Sequence, residues 1–137
     1  MSYGRLIRSW ADTNNVQADT DTVSLLLEKG ADVNFAGKNG FTALMLAVLV
    51  PRENPEVVRL LLEKGADVNA ITKDDHKHSS LHLALITSFD PEIVRMLIDK
   101  GAKVNATDAY GRTPLQYAEK RNRTEIIQIL KDAGAKK

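Results

Sequence analysis

Residues 25–34 read LLLEKGADVN, and the same ten letters return unchanged at residues 60–69. A variant, MLIDKGAKVN, occupies residues 96–105, and a shortened echo, ILKDAGAKK, closes the chain at residues 129–137. The marker glycines Gly30, Gly65, Gly101 and Gly134 are therefore 35, 36 and 33 residues apart. A period in the low-to-mid thirties restricts the architecture to a short list of solenoids, in which each unit touches only its neighbours.

Working outward from these blocks, each period holds two helices. In the last one, Asp108 to Gly111 is a turn, Thr113 and Pro114 supply an N-cap and a first helical residue, and Leu115 to Ala118 opens a short first helix. After a break at residues 121–123, Glu125 to Leu130 forms a second helix, and Gly134 falls where a left-handed C-cap is wanted. The inner repeats parse alike. Asn54-Pro55-Glu56 and Asp90-Pro91-Glu92 each combine an N-cap, a proline whose missing N–H costs nothing there, and a carboxylate near the positive helix end. The second helices then present Val57, Val58, Leu61 and Leu62, and Ile93, Val94, Leu97 and Ile98, along one apolar face.

Composition agrees with thin stacked layers. Of 137 residues 43% are hydrophobic and 27% charged, but only 5% are aromatic, so the interior must be built of Leu, Val, Ile and Ala. The net charge of +1 gives no field to gather nucleic acid or anionic lipid, which argues against both as partners. Residues 108–137 hold 7 basic and 4 acidic groups, a mild positive end. Without cysteine there is no disulfide framework and no thiolate zinc site. The opening MSYGRLIRSWADTNN lacks an apolar leader segment and no run reaches transmembrane length, so a cytoplasmic protein is expected.

The chain resembles the ankyrin repeat family. The motifs that carry the resemblance are Arg112-Thr113-Pro114-Leu115 with Tyr117-Ala118, Phe41-Thr42-Ala43-Leu44 with Leu46-Ala47, and Ser79-Ser80-Leu81-His82 with Leu83-Ala84, together with the Gly-Ala-Asp-Val-Asn turns. The resemblance implies an all-α solenoid of four helix–turn–helix repeats with protruding finger loops, here residues 1–36, 37–71, 72–107 and 108–137. It implies a binding scaffold rather than an enzyme, with no cofactor.

Departures from the pattern locate what is individual. From marker glycine to motif leucine the distances are 14, 16 and 14 residues, so the third finger, Ile71 to Ser80, carries two extra residues. That finger places Lys77 where the others place Gly40 and Gly111. From motif leucine to the next glycine the distances are 21, 20 and 19, which puts further insertions in residues 49–54 and 87–90. A repeat array tolerates insertions only in loops off its stacking faces. At the ends the apolar pattern fades: Lys131 replaces Leu62 and Ile98, and Thr22 stands at the place of Val57 and Ile93, with Leu6, Ile7 and Trp10 in an irregular first helix. A complete, capped, monomeric array is the expectation.

Few residues suggest chemistry. His76, His78 and His82 form an H-x-H-x-x-x-H cluster that could in principle hold zinc, making a metal site or metal-dependent enzyme on the third finger the alternative of another class. The motif position of His82 implies structural hydrogen bonds instead, and neither a cysteine nor an evident fourth ligand accompanies the loop histidines. Ser79 and Ser80 sit at a helix start, where capping accounts for them. No phosphate-binding glycine loop occurs. Asn34 and Asn69 each follow Asp-Val, an arrangement that in the family resembles the target of an asparaginyl hydroxylase. The competing reading is that their side chains hold the inter-repeat hairpin. Asn105 matches the target less well because Lys103 replaces the aspartate.

In the family a protein partner lies on finger tips and the exposed side of the first helices. Carried onto this chain, that surface comprises Lys38, Asn39, Phe41, Leu49 and Val50, then Ile71, His76, His78, Ile86 and Thr87, then Tyr110, Arg112 and Lys120, with Thr107, Ala109 and Arg121 alongside. The apolar members are unusual for an inert surface, and Tyr and Arg are types enriched in interface hot spots. Protein–protein recognition without catalysis is the expected function. A dedicated inhibitory or stabilising subunit of a partner enzyme is an alternative that the sequence leaves open.

Overall fold

The computed structural model describes residue 25 and residues 27–49, 55–87 and 90–136. Six α-helices have defined bounds: α1 (Ala43–Leu49), α2 (Pro55–Glu63), α3 (Ser80–Thr87), α4 (Pro91–Asp99), α5 (Pro114–Lys120) and α6 (Thr124–Asp132). They pair as α1 with α2, α3 with α4 and α5 with α6. The first helices α1, α3 and α5 stack in one layer and the second helices α2, α4 and α6 in another, giving the two-layered all-α solenoid that the period implies. Trp10 and the N-terminal helix, Val50 and most of the two lengthened helix connections lie outside the described residues.

The start and stop signals act as the sequence requires. The Asp90 side chain accepts the Glu92 N–H at 2.9 Å ahead of Pro91. Thr113 and Gln116 form a reciprocal capping box, each side chain accepting the other's backbone N–H. At the far ends Gly65, Gly101 and Gly134 all adopt φ near 94°, at 93°, 94° and 95°. The N–H of the following alanine reaches back five residues, from Ala66 to Leu61, Ala102 to Leu97 and Ala135 to Leu130, at 2.9, 3.0 and 2.9 Å. This is the Schellman closure, which returns the chain sharply toward the next repeat and needs a residue without Cβ strain at the turn.

The core is aliphatic. Leu44, Leu61, Leu81, Leu85, Ile93, Leu97, Ile126 and Leu130 are wholly enclosed, joined by Met45 and His82. Burial falls away along the array at equivalent positions. Leu62 is buried, Ile98 half-buried and Lys131 exposed, and the apolar Val48 and Leu85 give way to Glu119 in α5. On the outer side of the second helices Arg59 contacts Glu56 and reaches Glu92 at 3.0 Å, while Arg95 reaches Glu125 at 2.9 Å. These pairs are solvent-exposed and screened, so they contribute little to stability. No helix among the described residues is long and apolar enough to cross a membrane.

Candidate functional site

The third and fourth fingers are short hairpins whose turns are fixed by carboxylates, whereas the second closes through backbone alone, Gly37 N–H to Phe41 O at 3.0 Å. In the fourth, Asp108 N–H bonds Arg112 O at 3.1 Å, and Asp108 Oδ1 accepts the N–H groups of Tyr110 and Arg112 at 2.9 and 3.0 Å. In the longer third finger Ile71 pairs with Ser79 as an isolated antiparallel bridge. Its turn closes around Asp74, whose Oδ1 accepts from Thr72 Oγ1 at 2.6 Å, His76 N at 3.0 Å and Lys77 N at 3.2 Å. Those bonds, the Thr72 hydroxyl first, hold the Asp74 carboxyl below its ordinary range. Lys77 adopts φ 53°, beside 76° at Gly40 and 75° at Gly111, so a lysine takes the left-handed conformation that glycine holds in the other fingers.

Neighbouring fingers are joined through backbone. Lys73 N–H donates to Asn39 O at 2.7 Å, and Ala109 N–H donates to His76 O at 2.9 Å. The first link brings the Lys73 backbone so close to Gly40 that a Cβ there would lie 2.8 Å from Lys73 N. Phe41 is half-buried against the core at the foot of the second finger.

Between the third and fourth fingers the aromatic side chains form one cluster. His76 stacks on His78, centroids 5.4 Å apart and planes 5° off parallel, and the His76 Nδ1 lies 3.1 Å from the Tyr110 hydroxyl. His78 turns inward between His82 and Tyr117, with its Nε2 3.4 Å from Asp108 Oδ2. The Tyr117 hydroxyl donates to that same carboxylate oxygen. Burial alone would raise the Asp108 carboxyl, but the bonds from Tyr117, Arg112 and Tyr110 outweigh it and hold the group below its ordinary value. Tyr117 is pushed up, by burial and then by its bond to Asp108.

His82, wholly buried, pairs with Ser79: Oγ and Nδ1 are 2.9 Å apart, and His82 Nε2 lies 3.2 Å from Arg112 O. On paper this is a serine–histidine dyad. Both residues are enclosed, however, and the histidine's second nitrogen is committed to a backbone carbonyl. The Ser79 hydroxyl also caps α3 through the His82 N–H at 3.3 Å. The pair is a helix cap that couples repeats, equivalent to Thr113 and Gln116 one repeat later. Burial pushes the His82 imidazole below its ordinary value, and the opposing pull of the Arg112 carbonyl and Asp108 does not restore it. Among the described residues no group of three or more His, Cys, Asp or Glu is arranged to share a metal ion.

The remaining expected positions divide. Ile71 and Tyr110 stand out with 51% and 57% of their surface exposed. Arg112 is exposed and lies over the Tyr110 ring at 5.1 Å. Asn39, His76 and Lys120 are exposed, and Lys38 lies in the short 3₁₀ turn Lys38–Gly40. Leu49 is half-buried against the core, Ile86 is half-buried, and the Thr87 hydroxyl lies 2.8 Å from Leu83 O and 3.1 Å from Val48 O. Asn34 and Asn69 each span two repeats. Asn34 Nδ2 donates to Gly65 O at 3.1 Å and its Oδ1 accepts from Asp67 N, while Asn69 does the same with Gly101 O at 3.0 Å and Lys103 N at 2.9 Å. Asn105, the poorer motif match, bridges identically to Gly134 O at 3.1 Å and Lys136 N at 2.7 Å. What it lacks is the cap on its own N–H that Asp32 and Asp67 give Asn34 and Asn69. Sequence reasoning treated Asp108 only as a turn residue. The signal for its wider role was the joint presence of Tyr117 and His78, which only stacking brings together.

A family model of ankyrin repeats, in three copies, matches residues 10–72 and 71–137. A search of curated proteins gave no match.

Proposed function

We propose, from the premise that this chain belongs to the ankyrin repeat family, that it is a non-catalytic recognition module binding a protein partner across its fingers. Ankyrin repeats generally serve as protein–protein interaction modules. The observation that carries the reading is where apolar surface is left uncovered. Of the three large hydrophobic residues exposed among the described residues, Leu25, Ile71 and Tyr110, two project from fingers. Rigid aromatic and aliphatic anchors beside an arginine are the residue types on which interface energy concentrates. The proposed contact set is Ile71, His76, Tyr110 and Arg112, with Asn39, Phe41, Ile86 and Lys120 around it. The backbone links between fingers support a pre-formed face that adjusts little on binding.

Affinity capture with the purified chain, repeated with Ile71→Ser and Tyr110→Ala together, tests this. Both side chains are exposed, so the double variant should keep its thermal midpoint and lose the captured protein. Phe41→Ala is a poorer probe because that ring packs on the core. Capture that persists undiminished in the folded double variant would refute the finger assignment.

A further inference from the structure

The two long sides of this molecule treat their charges differently. On the second-helix side, arginines meet carboxylates: Arg59 with Glu56 and Glu92, and Arg95 with Glu125. On the finger side the carboxylates are taken up internally. Asp74 Oδ1 accepts three hydrogen bonds within its own turn. Asp108 is enclosed, one oxygen accepting two backbone N–H groups and the other the Tyr117 hydroxyl. The exposed cations Lys73, Lys77 and Arg112 consequently form no ion pair among the described residues, and Asp75 is the exposed finger carboxylate. Formally Lys38, Lys73, Lys77 and Arg112 against Asp74, Asp75 and Asp108 leave the fingers at only +1. The asymmetry therefore lies in which groups remain able to bond an incoming chain. The two ammonium groups are free and the Arg112 guanidinium has no carboxylate partner, its neighbours being the Tyr110 ring and the Tyr117 hydroxyl, while the Asp108 carboxylate and Asp74 Oδ1 are occupied.

Resting on the recognition reading above, we infer that the finger row takes an acidic peptide segment carrying an apolar side chain. The apolar side chain seats against Ile71 or Tyr110. Its aspartates or glutamates reach the Lys73 and Lys77 ammonium groups and the Arg112 guanidinium, which the Tyr110 ring holds in place at 5.1 Å. Charge-assisted hydrogen bonds to carboxylate are the stronger kind, and a planar guanidinium favours a bidentate one. A basic segment finds Asp75 and the second oxygen of Asp74 for the same purpose and meets three like charges.

A phage-displayed library of random peptides selected on the intact chain tests the inference. The expected winners carry more Asp and Glu than Lys and Arg around an aliphatic or aromatic residue. A synthetic winner should lose affinity about tenfold or more against Lys73→Glu, Lys77→Glu and Arg112→Glu combined, as removing charge-assisted bonds implies. Circular dichroism melting establishes that this variant, altered only at exposed positions, remains folded. Winners that are neutral or basic, yet lose affinity with Ile71→Ser and Tyr110→Ala, overturn the acidic preference and leave the recognition reading intact. Winners indifferent to both sets of changes overturn both readings. A library without enrichment overturns the inference of a short acidic segment, while the capture experiment above still decides the broader one.

Discussion

Replacing Asn69 by Ala removes a bridge between repeats without opening the core. Asn69 Nδ2 donates to Gly101 O and Oδ1 accepts from Lys103 N, so one amide satisfies a carbonyl and an N–H of the turn that follows. Two neutral hydrogen bonds contribute about 0.5–1.5 kcal/mol each. Asn69 is only half-buried, so water can reach the freed groups, and the expected loss is about 1–2 kcal/mol rather than the sum of both maxima. Asp67→Ala is the internal control. It leaves the bridge and removes only the cap on the Asn69 N–H, expected to cost about 0.5–1 kcal/mol. Urea unfolding followed by far-UV circular dichroism reads both. Because each repeat is stabilised by its neighbours, the Asn69→Ala transition should also broaden, its m-value falling as the halves of the array begin to unfold separately. Asn105→Ala should show a loss of similar size, since its bridge to Gly134 and Lys136 is the same. If Asn69→Ala costs no more than Asp67→Ala, the asparagine is not an inter-repeat bridge and the reasoning fails.

Ser80→Ala should stabilise the chain by about 1 kcal/mol in urea, because its enclosed hydroxyl has no hydrogen-bond partner among the described residues and a buried orphan costs about 1–3 kcal/mol. Repeat two already carries Ala43 at that place, and a destabilised Ser80→Ala would count against the prediction. Gly40→Ala should cost clearly more than Gly111→Ala in thermal melts. Both residues have positive φ, which penalises any Cβ by about 1 kcal/mol, but only at Gly40 would the Cβ also press on Lys73 backbone at 2.8 Å. Equal losses would show that the fingers separate readily. For His82 the folded imidazole sits below the ordinary 6.5, so the unfolded chain takes up this proton first. Its stabilising effect is complete above about pH 6.5 and is lost as pH falls through that value toward the folded pKa. His82→Gln, which copies the Gln116 cap of the next repeat, should reduce the fall in urea midpoint between about pH 7.5 and 5.5. An unchanged slope would show that His82 is not the group responsible.

Much of the fold was legible because its determinants are local and repeated. Gly65, Gly101 and Gly134 marked the Schellman turns, Asp90-Pro91 and Thr113-Pro114 marked helix starts, and the paired apolar residues of α2 and α4 marked their buried faces. Alignment of the third finger with its neighbours set Lys77 against Gly40 and Gly111, and all three share a positive φ. The surface was less legible. His76 and His78 looked equivalent in the sequence, two loop histidines with only Lys77 between them. In the structure His76 remains exposed beside Tyr110, whereas His78 is drawn under the finger toward Asp108 and Tyr117. Phe41, Leu49, Ile71 and Ile86 likewise read as one apolar group, but of these only Ile71 is exposed and the other three are half-buried.

The sequence by itself determined the period, the helix pairs of the three described repeats, the caps at Asp90 and Thr113 and the family, because each depends on contacts within about thirty-five residues that recur from copy to copy. Only the tertiary structure decided which side chains face a partner. That depends on how one finger leans on the next, through the Lys73–Asn39 and Ala109–His76 backbone bonds and the shared Asp108 carboxylate. These contacts join residues that are unlike from copy to copy and lie one repeat apart, so no repeating pattern records them. Stacking encloses the Asp108 carboxylate, the third finger's own turn engages Asp74, and three cations and two apolar side chains are left outward; that division, absent from the letters, is what gives the finger row its chemistry.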